Sequence, residues 1–237
     1  MKKIFNIFFI CITLLCLGCN DAFDCIKGEG PVVTRTLTVA SFTSLELHGS
    51  HKVFISHGQQ QEVQVKGQDN IINRLNLSVN NGHWNLKLNE CTRNHEELVF
   101  YVTVPTITSL SVAGSGDIVG QTLLEAGDMH LKIAGSGSIN TKIIANTLYS
   151  DISGSGKIEV TGACEQADLK ISGSGKYLSS DMAVNKFKID IAGSGNATVY
   201  ILDQLDVDIA GSGTVRYFGN PYISTNISGS GKVIKED

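Results

Sequence analysis

The sequence predicts an all-β chain wound as a single-stranded, right-handed parallel β-helix, a solenoid with coils of about 19 residues. Three observations lead there. The triplet Gly-Ser-Gly occurs seven times, starting at Gly114, Gly135, Gly154, Gly173, Gly193, Gly211 and Gly229, at intervals of 21, 19, 19, 20, 18 and 18 residues. One landmark at a near-constant period marks stacked structural turns. Around each triplet, apolar and polar residues alternate, which is the period of a strand with one face in a core. Finally, each interval is shorter than the roughly 30 residues of a strand plus crossover helix, and apolar spacing at three and four is missing.

From the N-terminus, residues 1–18 read as a lipoprotein signal peptide. Lys2 and Lys3 form a positive start, and Ile4 to Leu17 is nearly unbroken apolar sequence. That stretch is shorter than the roughly 20 residues a permanent membrane helix requires. Gly18-Cys19 follows as at a bacterial lipoprotein cleavage site, making Cys19 the expected lipid acceptor. Cys16 stands where that pattern usually has Leu, so ordinary signal cleavage is the alternative. Residues 19–30 are expected to be a tether. No later stretch is long and apolar enough to span a membrane, so the expected location is the cell envelope. There the chain would be an outer-membrane lipoprotein, facing the periplasm or the cell exterior.

The chain carries a formal net charge of −4 and no run of Lys or Arg, so no nucleic-acid partner is expected. In an oxidising compartment, Cys25 and Cys91 both lie outside the regular repeats and are expected to pair as a disulfide. Cys164 is expected to act as a small buried hydrophobe. Neither Cys nor His has zinc-site spacing, and no metal or other cofactor is expected. His48, His51 and His57 stand closest together among six histidines.

Residues 31–110 are expected to form irregular first coils and a cap. Leu45 to Val53 resembles a degenerate repeat with Gly49-Ser50 in the triplet position, Asn80-Asn81-Gly82 marks a turn between alternating runs, and Val99 to Val104 alternates again. Caps matter because an open coil end exposes unpaired strand edges. The charged tail Lys235-Glu236-Asp237 would blunt the other end.

Residues 111–237 are the regular coils. Directly before the small residue that precedes each triplet stand Val112, Ile133, Ile152, Ile171, Ile191, Ile209 and Ile227, all β-branched. Two residues earlier come Leu110, Leu131, Ser150, Leu169, Ile189, Val207 and Thr225. The second position past each triplet holds Ile118, Ile139, Ile158, Tyr177, Ala197, Val215 and Val233. These columns are expected to stack inside the tube. Glycine suits the bend because it reaches positive φ and permits close backbone approach. Between the inward positions, Lys132, Asp151, Lys170 and Asp190 alternate in sign on the outer face, then Asp208 breaks the series.

The leader, the opening Cys25-Ile-Lys-Gly-Glu-Gly30, Val53-Phe-Ile-Ser-His-Gly58, Val102-Thr-Val-Pro105 and Leu110-Ser-Val-Ala-Gly-Ser-Gly116 together resemble the putative auto-transporter adhesin, head GIN domain family. The resemblance runs from about Pro31 to Lys235. It implies a β-helix related to pectin-lyase-like solenoids and a suggested role in cell adhesion, with no established catalytic residues. The C-terminal membrane barrel of a true auto-transporter is not recognisable here.

Three functional classes follow. The first is an adhesion or binding module, with a glycan or another cell-surface ligand as partner; Tyr200, Tyr217, Tyr222 and Trp84 are its candidate contacts, while Tyr177 falls in an inward column. The second is a purely structural or self-associating envelope lipoprotein. The third, least favoured, is a polysaccharide-active enzyme using Asp190, Asp206 and Asp208 near Lys170; no catalytic residue is assigned. Gly156-Lys157, Gly175-Lys176 and Gly231-Lys232 lack the spacing and following Ser or Thr of a phosphate loop. The triplet serines recur without a histidine partner, which argues for backbone geometry rather than nucleophilic chemistry.

Overall fold

The computed structural model describes residues 25–237; the expected signal peptide and Cys19 lie outside them. The chain is a parallel β-solenoid of about seven turns. The N-terminal part contains β1 (Ile26–Lys27), β2 (Val32–Thr36), β3 (Ser44–Gly49), β4 (Lys52–His57), β5 (Glu62–Gln68), a one-turn helix α1 (Asp69–Ile72), β6 (Val79–Asn80), β7 (His83–Leu86), β8 (Thr92–Arg93) and β9 (Val99–Val104). The regular coils follow as β10 (Ser109–Gly114), β11 (Asp117–Gly135), β12 (Ser138–Gly154), β13 (Lys157–Gly173), β14 (Lys176–Gly193), β15 (Asn196–Gly211), β16 (Thr214–Phe218), β17 (Tyr222–Gly229) and β18 (Lys232–Lys235).

Each long strand bends round the tube, with the triplet at one corner. Before the corner runs a first wall, after it a second. Residues one coil apart pair in parallel and in register: Ile133 with Ile152, Ile152 with Ile171, Ile171 with Ile191, and Ile191 with Ile209. All five are at most 2% exposed. A β-branched side chain has a stiff χ1 and fits a pleated surface, so one Ile per coil fills the same slot repeatedly. Beyond the corner, Ile118, Ile139, Ile158, Tyr177, Ala197 and Val215 line the opposite side of the same core.

Hydrogen bonding passes through the corner without a gap. The Ser174 N–H donates to the Gly154 carbonyl at 2.9 Å and the Lys176 N–H to the Gly156 carbonyl at 2.9 Å, and the other triplets repeat the scheme. Gly49 pairs with Gly114, so Gly49-Ser50-His51 is a corner of the same kind whose closing glycine is replaced by His51.

The N-terminal end is where the architecture departs from simple coils. β5 pairs antiparallel with β2 and β9, and β6 with β7, the last through the turn at Asn81 and Gly82, both at positive φ. Cys25 and Cys91 form a disulfide beside the short β1–β8 pair. Cys164 is buried with a free thiol, which burial and the neighbouring Glu165 push up to about 12. Tyr177 is wholly buried, its hydroxyl beside Ser150 and Ser179, and burial raises its pKa.

Candidate functional site

On the first wall, every second residue points to solvent, so the parallel register converts the sequence into two outward ladders. One runs Ser109, His130, Tyr149, Asp168, Lys188, Asp206 and Ser224. The other runs Ser111, Lys132, Asp151, Lys170, Asp190, Asp208 and Asn226. Adjacent rungs are about 4.8 Å apart, a spacing close to that of stacked rings.

His130 and Tyr149 use that spacing. Their rings lie parallel, centroids 4.7 Å apart and planes at 11°, and both residues are exposed. One coil below His130 stands Ser109, too small to continue the stack, with Ser111 beside it. They border a shallow cleft of about 390 Å³ whose other lining residues include Lys132, Asp151, Asp168 and Lys170. A second cleft of about 310 Å³ continues along the wall past Lys170, Asp190, Asp208 and Asn226. The two meet at Lys170, the second lying on the other side of the Lys170–Asp190–Asp208 column, towards Ser172, Ala192, Ala210 and Ser228.

The charges along this wall are held loosely. Among the described residues, no ion pair within 4 Å joins successive rungs of the Lys132–Asp151–Lys170–Asp190 ladder, although the register sets opposite signs one above the other. Exposed pairs gain little in water, at most about 1 kcal/mol, so the side chains splay into solvent. Contacts run along strands or to neutral neighbours instead. Lys188 reaches Asp190 at 3.6 Å, Ser153 donates to Asp151 at 3.1 Å, Gln204 to Asp206 at 2.7 Å, and Asn226 to Asp208 at 2.9 Å. Asp190, Asp206, Asp208 and Lys170 do share the wall, with Asp190 under Asp208. Each carboxylate is tied to a surface donor, an arrangement that fits solvation as well as ligand contact.

The aromatic candidates separate. Trp84 is withdrawn as a contact: it is fully buried, its ring 5.2 Å from Phe42 and its indole N–H donating to the Asn76 carbonyl at 2.9 Å. The alternation His83-Trp84-Asn85-Leu86 puts Trp84 inward with Leu86, a signal legible in the sequence. Tyr217 is half-buried against the core and Tyr200 is half-buried on the second wall, so neither presents a free ring face to the clefts. Tyr222 is 83% exposed, at the start of β17. His130 and Tyr149 are the residues that sequence reasoning missed. Their signal was available: they occupy one column, two residues before Lys132 and Asp151.

The histidines diverge. His48 and His83 both approach Glu46, at 3.5 and 3.3 Å, and His83 also meets the Ser44 hydroxyl at 2.8 Å. His51 turns inward beneath His95. Among the described residues no group of three His, Cys, Asp or Glu side chains is placed to hold a metal ion.

Comparison with known proteins places this geometry. The fold matches the crystal structure of a putative adhesin from Bacteroides fragilis, with a TM-score of 0.84 and 21% identity, over 89% of this chain and 100% of that one. A putative lipid binding protein from Parabacteroides distasonis aligns with a TM-score of 0.74 and 24% identity, over 90% and 99% of the two chains. A putative adhesin from Parabacteroides merdae aligns with a TM-score of 0.75 and 18% identity, again over 90% and 99%. At such identities the likeness concerns the fold. No curated protein matches the chain. The profile of one family, described as "putative auto-transporter adhesin, head GIN domain", matches residues 41–221, and the chain belongs to that family.

Proposed function

We propose that this adhesin-family chain is a cell-envelope binding module, lipid-anchored through Cys19, that holds a saccharide along its first wall. The stacked His130–Tyr149 pair carries the reading. Its outer ring face borders a cleft floored by Ser109 and Ser111, where a pyranose ring can continue the stack. Sugars present apolar C–H faces ringed by hydroxyls, so an aromatic face flanked by carboxylates, ammonium groups and serines is a chemically matched surface. Shallow, open clefts suit a lengthy polymer held by several weak contacts rather than one small molecule sealed from water. A lipid tether suits adhesion, since it leaves the solenoid wall accessible. The Cys25–Cys91 disulfide accords with an oxidising, extracytoplasmic location.

The test is a glycan array probed with the purified chain, followed by titration of the hits. Saturable binding is expected, weakened about tenfold by His130→Ala or Tyr149→Ala, the loss of one aromatic contact. Both side chains are exposed, so the melting temperature should stay put. Silence on the array, or hits indifferent to both substitutions, would refute the site. The tether is tested separately: Cys19→Ser should move the chain from the membrane to the soluble fraction and abolish the acylated N-terminal peptide in mass spectra.

A further inference from the structure

At the C-terminal end of the solenoid, β17 pairs with β15 along one edge, and no described residue covers the other. Its inward side chains therefore lie open. Ile223 and Ile227 are 41% and 40% exposed, whereas Leu205 and Ile209 directly beneath them are at most 2% exposed. Open edges template pairing with another chain, and proteins ordinarily guard them with charge, proline or a bulge.

The last coil guards only half of its rim. Along β18, Lys232 and Lys235 flank Val233-Ile234, Lys235 donates to Asn220 at 2.7 Å, and Glu236 pairs with Arg216. β17, Tyr222-Ile-Ser-Thr-Asn-Ile-Ser-Gly229, carries no charged residue and no proline. The coils beneath it do carry charge on this wall, as Lys132, Asp151, Lys170, Asp190 and Asp208. Charge is thus absent from the one strand of these coils that most needs it for solubility.

We infer that β17 is a dimerisation edge whose occupant is β17 of a second copy. Two identical edges related by a two-fold axis must run antiparallel. With the axis at Thr225, Ile223 stands opposite Ile227 of the second copy, Ser224 opposite Asn226, and Tyr222 opposite Ser228. Inward side chains meet inward ones along the whole strand. Shifting the axis by one residue sets Ile223 against Thr225 and leaves Ile227 facing Pro221, so the Thr225-centred register is the self-complementary one. At the opposite end β2 pairs with β5 alone and carries Arg35, ion-paired with Asp69. A two-fold pair of identical edges uses both β17 strands, so the assembly closes at two. In that dimer the N-terminal ends point away from each other. The inference is independent of saccharide binding and of the lipid tether.

The full chain, purified in mild detergent, is examined by sedimentation velocity over a concentration series and by non-reducing gels after mild oxidation. A reversible dimer is expected. Thr225→Cys should give a covalent dimer, because Cα atoms directly opposite in an antiparallel pair lie about 4.5–5.5 Å apart, within disulfide reach. Ser224→Cys should not, since its copies sit roughly 8 Å apart, beyond that reach. Thr225→Lys sets like charges face to face and should leave only monomer, melting where the parent melts once diluted to monomer, Thr225 being exposed in the single chain. A monomer throughout the series, a dimer indifferent to Thr225→Lys, or equal cross-linking by both cysteine variants would overturn the inference.

Discussion

Within each triplet the two glycines meet different obstacles. Gly173 sits at φ +124, and a Cβ there would come 2.6 Å from the Gly154 carbonyl oxygen one coil below. Gly175 would strike Cγ2 of Ile152 at 2.5 Å. Gly127, by contrast, meets nothing within 4 Å of its Cβ position. Gly173→Ala should therefore cost at least about 2 kcal/mol in urea unfolding, while Gly127→Ala stays within about 0.5 kcal/mol. Equal effects would contradict the close-approach account. His51 makes a second case. It is 7% exposed, 6.0 Å from His95 and 6.4 Å from Phe100, in a recess shared with Arg93 and Glu97. Burial, then His95, lowers its pKa from 6.5 to about 4. As pH falls below 6.5 the unfolded chain takes up a proton that the folded chain refuses until about pH 4. Stability should thus be unaffected above pH 6.5, decline from there to pH 4 by up to about 3 kcal/mol, and level off below. Urea midpoints measured across that range should fall less steeply for His51→Gln than for the parent.

Among the elements, the N-terminal cap was the least legible. Alternation at period two marks a strand but not the direction of its neighbour, so the antiparallel pairing of β5 with β2 and β9 could not be read from Val63 and Val65. The helix α1 spans four residues, too few for a 3.6-residue signature. The β6–β7 turn was readable, because Asn81-Gly82 supplies the two positive φ values that a tight hairpin demands. β1 and β8 contribute two residues each and cannot hold themselves in place. The Cys25–Cys91 bridge does so, closing a separation of 66 residues. Its loss in a Cys25→Ser, Cys91→Ser double variant should lower stability by up to about 4 kcal/mol. Limited proteolysis should then cut first within residues 88–97. An unchanged melting temperature would mean that the cap stands without its bridge.

For the molecule as a whole, stability resides in contacts between neighbouring coils, since each coil alone has too little interior to bury. Ile171 lies between Ile152 and Ile191 and is 1% exposed. Ile171→Asp would bury an uncompensated carboxylate in mid-solenoid. Circular dichroism during urea unfolding should show a cost of at least about 3 kcal/mol and loss of structure in the coils on both sides. A variant that unfolds like its parent would be incompatible with a continuous stacked core.

The sequence by itself determined the period, the inward columns, the glycine corner and the register that follows from them. These depend on interactions each coil makes with its own equivalents, so the same constraint is written once per coil. The tertiary structure alone decided how the cap closes, that Phe42 is the ring packed on Trp84, that the neighbours His130 and Tyr149 lie ring on ring at the mouth of a cleft, and that β17 is left uncovered. Outward residues face water rather than a repeating partner. Their identities drift from coil to coil, so the register says which are neighbours but only the coordinates reveal which of them touch.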